Sequence, residues 1–313
     1  MILHNNKKLF SQTLKAASQH LNILMSFVEK DYWITLILHH LSLSSYADKT
    51  VFKGGTSLSK GYRMIDRFSE DVDLAILHTA GKTKNEIKTI IRRIEKEITK
   101  ELIEIKEEGV TSKGSRFRKS LFKYPSAEKN SDNRVIVEIN SFANPFPYRS
   151  LFIKSFLYDF LNQTNKHHII EKYQLDTFRV NVLTKEQALL EKLVSLIRFS
   201  YAQDPLHSIS GKIRYFYDLY YLVKDVECMQ FIESKSFKEK FDRLYEHDKE
   251  LFDEPKGWRD KKLVESPMIN DFDSIWSKIK SRYKNELSAL AYRPIPNEKL
   301  VTKAFLYLRE KIL

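Results

Sequence analysis

At 313 residues, 42% of them hydrophobic and 30% charged, the chain has the composition of a globular protein and enough length for one large domain or two ordinary ones. Its single cysteine, Cys228, excludes an intrachain disulfide and a cysteine-based zinc site. No apolar run approaches the ~18 residues of a membrane span, and the opening Met-Ile-Leu-His-Asn-Asn-Lys-Lys lacks the order of a secretory signal, so the expected compartment is the cytoplasm, without a membrane partner. The net charge of +12 would attract polyanions such as nucleotides, RNA or DNA.

Apolar residues at spacings of three and four predict two helices over residues 8 to 44, the first carrying Leu9, Leu14, Leu21 and Leu24, the second Trp33, Ile34, Ile37 and Leu41. A short strand, Thr50 to Phe52, precedes the turn Lys53-Gly54-Gly55-Thr56-Ser57, which feeds a helix to about Ile65. A second strand follows at Val72 to Leu77. Between Lys82 and Ile105 the stripe Ile87, Ile90, Ile91, Ile94, Ile98 and Leu102 marks an amphipathic helix that should pack on the sheet. Ser115 to Tyr124 and Arg134 to Asn140 read as strands of a hairpin, joined by a polar Pro-Ser-Ala-Glu-Lys-Asn-Ser-Asp-Asn connection.

From Ser141 to Tyr173 prolines and aromatics suggest loop structure, before a strand at Phe178 to Val182. Thr184 and Gln187 are spaced as in a capping box and open a helix to about Tyr201. Another helix covers Ile213 to Val223, and residues 231 to 313 mix helical patterning with a polar stretch near Asp253. The class is therefore α+β: a mixed α/β half, residues 1–165, followed by a mainly helical half, residues 166–313.

Two stretches carry the chemistry. Glycines between a strand and a helix let backbone approach a ligand closely, and the free N–H groups at the helix start can cradle phosphate, with Thr56 or Ser57 adding a hydroxyl. On the next strand Asp71 and Asp73, two residues apart, project from one face while Val72 and Leu74 enter the core. Such hard oxygen ligands suit Mg²⁺. Glu138 is the lone acid in Val135-Ile136-Val137-Glu138-Ile139, where an unpaired charge is costly, and is the candidate third carboxylate. Taken singly, a Gly-Gly turn or an Asp-x-Asp is more often a tight turn or surface charge. Their order, with the later acidic strand, points to a site.

Lys53-Gly54-Gly55-Thr56-Ser57-Leu58 and Arg67-Phe68-Ser69-Glu70-Asp71-Val72-Asp73 resemble the signature of the AbiEii/AbiGii toxin family of polymerase-β-like nucleotidyltransferases. Two later motifs are similar to Ala188-Leu189-Leu190-Glu191-Lys192-Leu193 and Arg214-Tyr215-Phe216-Tyr217-Asp218-Leu219, with an extra residue pair after Ala188 and Tyr215 where Asp is frequent. The resemblance covers roughly residues 28 to 225. It implies a polymerase-β-like sheet domain with a helical domain that completes a nucleotide cleft. It also implies metal binding by Asp71, Asp73 and Glu138, nucleotide contact by Lys53 through Ser57, Arg67, Lys192 and Arg214, and a catalytic place for Lys192 and Asp218. Asp218 would orient Lys192 or Arg214 by an ion pair, or lie on a solvated face.

The reaction expected is in-line attack of an acceptor hydroxyl on the α-phosphate of a nucleoside triphosphate, assisted by two Mg²⁺ ions, with Mn²⁺ as a substitute. RNA, tRNA first, is the implied acceptor, and a cognate antitoxin the implied genetic partner. The rivals are an antibiotic-type small-molecule acceptor and a nucleotide or RNA binder without catalysis. The basic, aromatic-interleaved run Lys113 to Tyr124 either guides an RNA backbone or belongs in part to the core. His39-His40 and His167-His168 lack partners at ligand spacing and read as ordinary polar residues.

Overall fold

The computed structural model describes residues 1–127, 132–143 and 145–313. Part of the polar connection after Tyr124, residues 128–131, lies outside the described residues. The chain divides into two compact units, Met1–Arg63 with Phe68–Leu183, and Met64–Arg67 with Thr184–Leu313.

In the first unit, α1 (Lys7–Leu21) and α2 (Met25–Leu43) lead to β1 (Thr50–Lys53), α3 (Gly54–Lys60) and β2 (Asp71–Ile76). Then come α4 (Lys84–Ile98), β3 (Ile103–Ile105), β4 (Ser112–Lys113), β5 (Phe117–Lys123), β6 (Arg134–Asn140), β7 (Tyr148–Ile153), α5 (Phe156–Gln163), α6 (His167–Lys172) and β8 (Phe178–Leu183). The mixed sheet runs β3-β5-β6-β2-β1-β8-β7, with β4 also on β5. Its β2–β6 pair is parallel, while β1–β2 and β5–β6 are antiparallel.

Alternation along the strands decides the two faces. Val72, Leu74 and Ile76 of β2 and Val135, Val137 and Ile139 of β6 bury against α2 and the Ile87, Ile91, Ile94, Ile98 stripe of α4. Thr83 caps α4 in a reciprocal box with Glu86. The opposite face of β2 and β6 is left to Asp71, Asp73 and Glu138.

Three neighbouring charges at the start of α2 are buried, and each fixes another segment. The Asp31 carboxylate meets Lys60 Nζ at 2.5 Å and accepts from the Phe156 N–H at 2.8 Å. Lys30 bonds Glu70 at 2.8 Å and Asp132 at 3.3 Å. Glu29 accepts from Ser126 Oγ and the Ala127 N–H. The segment just before Asp71 is therefore held from α2 through Lys30 and Glu70.

Several expectations are corrected. The helix after the glycine turn stops at Lys60, and Met64–Arg67 belongs with the second unit, where Arg67 bridges Ala291 and Asp66 O accepts from the Tyr292 N–H. The helix expected to run to Ile105 ends at Ile98, and Ile103–Ile105 is a strand on β5. Ser141 to Tyr173, expected as loop, holds β7, α5 and α6. β7 is an edge strand whose period-two pattern is obscured by the aromatics and prolines around it. The divide between units falls at Leu183/Thr184 rather than near 165, because α5 and α6 belong to the first unit and β8 to its sheet.

The second unit is helical: α7 (Lys185–Phe199), α8 (Pro205–Ser210), α9 (Ile213–Lys224), α10 (Val226–Ile232), α11 (Ser236–Leu251), α12 (Pro267–Asn270), α13 (Phe272–Leu290) and α14 (Glu298–Ile312). Its core is aromatic, with Phe216 and Phe272 in ring contact with each other and each with Trp276 and Phe305. Thr184 caps α7 by accepting from the Gln187 N–H. Among the described residues no helix is long and apolar enough to cross a membrane.

Candidate active site

In the first unit the candidate residues lie on β1, α3, β2, β6 and β5. Gly54 turns the chain at φ +79°, a conformation L side chains rarely adopt, and an added Cβ would stand 1.9 Å from Asp73 Oδ2. Glycine here both makes the turn and leaves room for the carboxylate. Thr56 Oγ1 donates to the Asp71 carbonyl at 2.5 Å, and Ser57 Oγ donates to the Gly54 carbonyl at 2.9 Å. Both side chains are buried. The Thr56 hydroxyl thereby fastens α3 to the acidic strand, while the Ser57 bond stays within the first turn of α3. The half-buried Lys53, Gly54 and Gly55 are the accessible part of the turn.

Sheet register brings the charges into a row. Lys53 pairs with Asp73, Asp73 with Glu138, and Glu138 with Lys119, and directly paired residues project from the same face. Asp71 stands two residues from Asp73 on that face, paired with Ile136. Lys119 Nζ lies 2.7 Å from Glu138 Oε1, with the two side chains 31% and 24% exposed. Partial burial disfavours the Lys119 ammonium, but Glu138, helped by Asp71 and Asp73, outweighs it and raises the pKa above the ordinary lysine value. Among the described residues no three carboxylate, imidazole or thiolate groups form a ready-made metal cage.

The basic run resolves mostly into structure. Arg118 is held by Glu95 and Glu104, Lys113 by Glu104 and Lys119 by Glu138, while Leu121, Phe122 and Tyr124 are buried. His40 pairs with Glu101 at 3.0 Å, and so does His4 at 2.7 Å.

In the second unit Asp218 is fully buried. Arg67 binds it through Nε and Nη2, both at 2.7 Å, and Lys192 Nζ is 2.9 Å from Oδ2. Burial alone would push the Asp218 carboxyl up, but Arg67 and then Lys192 outweigh it and hold it below the usual carboxylate range. The Lys192 ammonium also sits 4.5 Å from the centre of the Tyr215 ring. Arg214 does not join this cluster and pairs with Glu286 at 3.0 Å. Arg67, expected at the nucleotide, is instead almost wholly enclosed, with Asp218 as its counter-ion.

Lys119, Lys30 and Asp31 were missed as site-supporting residues. Three successive charges opening an otherwise apolar helix are a readable signal for Glu29, Lys30 and Asp31. Lys119 has no such signal, because its partner depends on hairpin register.

None of the curated proteins matches the chain. Among solved structures, MenT4, a nucleotidyltransferase toxin from Mycobacterium tuberculosis H37Rv, aligns over 94% of this chain and 89% of its own at 17% identity and a TM-score of 0.52, which shows a common fold. JHP933 from Helicobacter pylori aligns over 91% of this chain and 93% of its own at 15% identity and a TM-score of 0.43. The family described as nucleotidyl transferase AbiEii toxin, type IV TA system, matches residues 36–302. With most of its length inside that match, the chain belongs to the AbiEii family of nucleotidyltransferase toxins of type IV toxin–antitoxin systems.

Proposed function

We propose that the protein transfers a nucleoside monophosphate from a nucleoside triphosphate to a hydroxyl of RNA, tRNA first, in a Mg²⁺-dependent reaction that releases pyrophosphate. The observation that carries this reading is the row in which Asp73 rests over Gly54 and faces Glu138 across β2 and β6, with Asp71 one strand step away. Hard carboxylate oxygens on one face, beside a turn whose backbone a phosphate can approach, fit a divalent cation and a triphosphate. Mn²⁺ fits the same donors.

Asp71 and Asp73 would hold the cation, and Glu138 would complete the set or take the acceptor proton. When bound, Mg²⁺ supplies charge neutralisation for the attacking and leaving oxygens. Lys53, Gly54 and Gly55 hold phosphate oxygens. Lys192, its ammonium fixed by Asp218, and Arg214 are the cations of the second unit proposed to meet nucleotide phosphate, with Asp218 acting through Lys192. The net charge of +12 favours a polyanionic acceptor. The family implies an antitoxin as genetic partner, and the cytoplasm is the compartment such an acceptor requires.

The test is incubation with Mg²⁺, total RNA and each α-labelled nucleoside triphosphate in turn. Wild type should label a discrete RNA band, and Asp71→Asn or Asp73→Asn should reduce labelling on the order of a thousandfold while the protein stays folded. Undiminished labelling by Asp73→Asn would sink the metal assignment, and label on small hydroxyl compounds alone would sink the RNA acceptor.

A further inference from the structure

The sheet face that carries Asp71, Asp73 and Glu138 already contains a cation of its own. Asp73 and Glu138 stand directly opposite each other on neighbouring strands, an arrangement that is destabilising for like charges. Lys119, the next residue across the row, places its ammonium on Glu138 at 2.7 Å. From the geometry we propose that Lys119 is a positioning residue that stands in for a divalent cation: it holds Glu138 in the metal-free protein and gives it up when the ion binds. The inference rests on the metal reading of Asp71 and Asp73 above.

Three features set Lys119 apart from an ordinary surface ion pair. Its charge feels Asp71 and Asp73 as well as Glu138, so the whole acidic row attracts it. Its backbone is fixed, because Arg118 is anchored to Glu95 and Glu104 while Leu121 and Phe122 lie in the core. The ammonium itself sits on a flexible four-carbon stem at the partly exposed end of a screened pair, so it can leave Glu138 at small cost. A divalent ion would bring two charges where the ammonium brings one. Exchange therefore favours the ion whenever it is present, and the freed ammonium stays beside the site as a donor for a phosphate oxygen.

The experiment is Mn²⁺ binding to the full chain by calorimetry, without nucleotide. Lys119→Met and Lys119→Gln should each bind Mn²⁺ about three- to fivefold more tightly than wild type, the scale of one screened ion pair no longer in competition. The gain should vanish in the background of Glu138→Gln. Mn²⁺ should also raise the melting temperature of Lys119→Gln more than that of wild type. Unchanged or weaker binding in both Lys119 variants, with binding abolished by Asp73→Asn, overturns the stand-in role and leaves the proposed function intact. Absence of Mn²⁺ binding from wild type and from both Lys119 variants overturns the metal reading itself.

Discussion

Each unit contains a carboxylate held by cations, and the two clusters are built in opposite ways. Glu138 and Lys119 face partly into solvent, each on a different strand, and their attraction is screened. Asp218 is sealed, with Arg67 bonding both its oxygens and Lys192 sharing one of them. Bidentate geometry and two counter-charges offset the cost of taking an anion wholly out of water. An open pair can exchange partners. A closed cluster cannot, and its effect is to fix the directions of its members, Lys192 among them.

The largest effect should come from opening the sealed cluster. Asp218→Ala leaves two buried cations without their counter-ion and should cost about 3–5 kcal/mol, read from the midpoint of denaturant unfolding. Glu138→Gln, which removes one partner of the open pair, should cost less than about 1 kcal/mol. Equal costs for the two would break the distinction between them.

Gly54→Ala should come next. Its positive φ costs roughly 1–2 kcal/mol with an L side chain, and the new Cβ must push Asp73 aside. Transfer should fall about a hundredfold, as expected when a reacting geometry is displaced by an ångström or more. Activity near wild type would show that the Asp73 carboxylate can be moved without loss.

Much of this was legible in the sequence, for a physical reason. A glycine turn, an Asp-x-Asp strand and an amphipathic α4 are local patterns with periods of two and 3.6, and β6 and the hairpin were placed from alternation alone. The family's later motifs located Lys192 and Asp218. Pairing was not legible. Lys119 meets Glu138, and Arg67 rather than Arg214 meets Asp218, because register and chain path bring them together. Both depend on contacts remote in sequence. The same limit hid the division of Arg67-Phe68-Ser69-Glu70-Asp71, whose arginine belongs to the second unit while Phe68 stacks on Phe27 in the first.

Acidification should separate the units. Burial lowers His39 to about 4, so the unfolded chain takes up its proton first. The stability His39 contributes is complete above the ordinary histidine value near ~6.5 and is lost as the pH falls from there towards about 4. Asp218 is held below the usual carboxylate range, so its contribution survives to about pH 3.9 and is lost only as the pH falls further. Amide exchange should therefore show the first unit loosening before the second. His39→Phe should flatten the first unit's loss between pH 6.5 and 4 by on the order of 1–2 kcal/mol, after allowing for solvent screening. An unchanged slope in that variant would remove His39 from the account.

The smallest effect lies where charges have no partner at all. Lys84, Lys88, Arg92 and Lys96 follow one another at intervals of four along the exposed side of α4, and among the described residues none of them reaches a carboxylate. Like charges four apart repel, and those near the helix start also oppose its dipole. Lys88→Glu would replace two repulsions by two attractions, to Lys84 and Arg92, and should stabilise the first unit by about 0.5–1 kcal/mol in low salt. The gain should fade as salt is added, because every charge involved lies in water. The sealed Asp218 cluster should show no comparable salt dependence. A salt-insensitive gain at Lys88 would mean that the helix backbone, rather than charge, had changed, and would remove the screening argument that separates the open pair from the closed one.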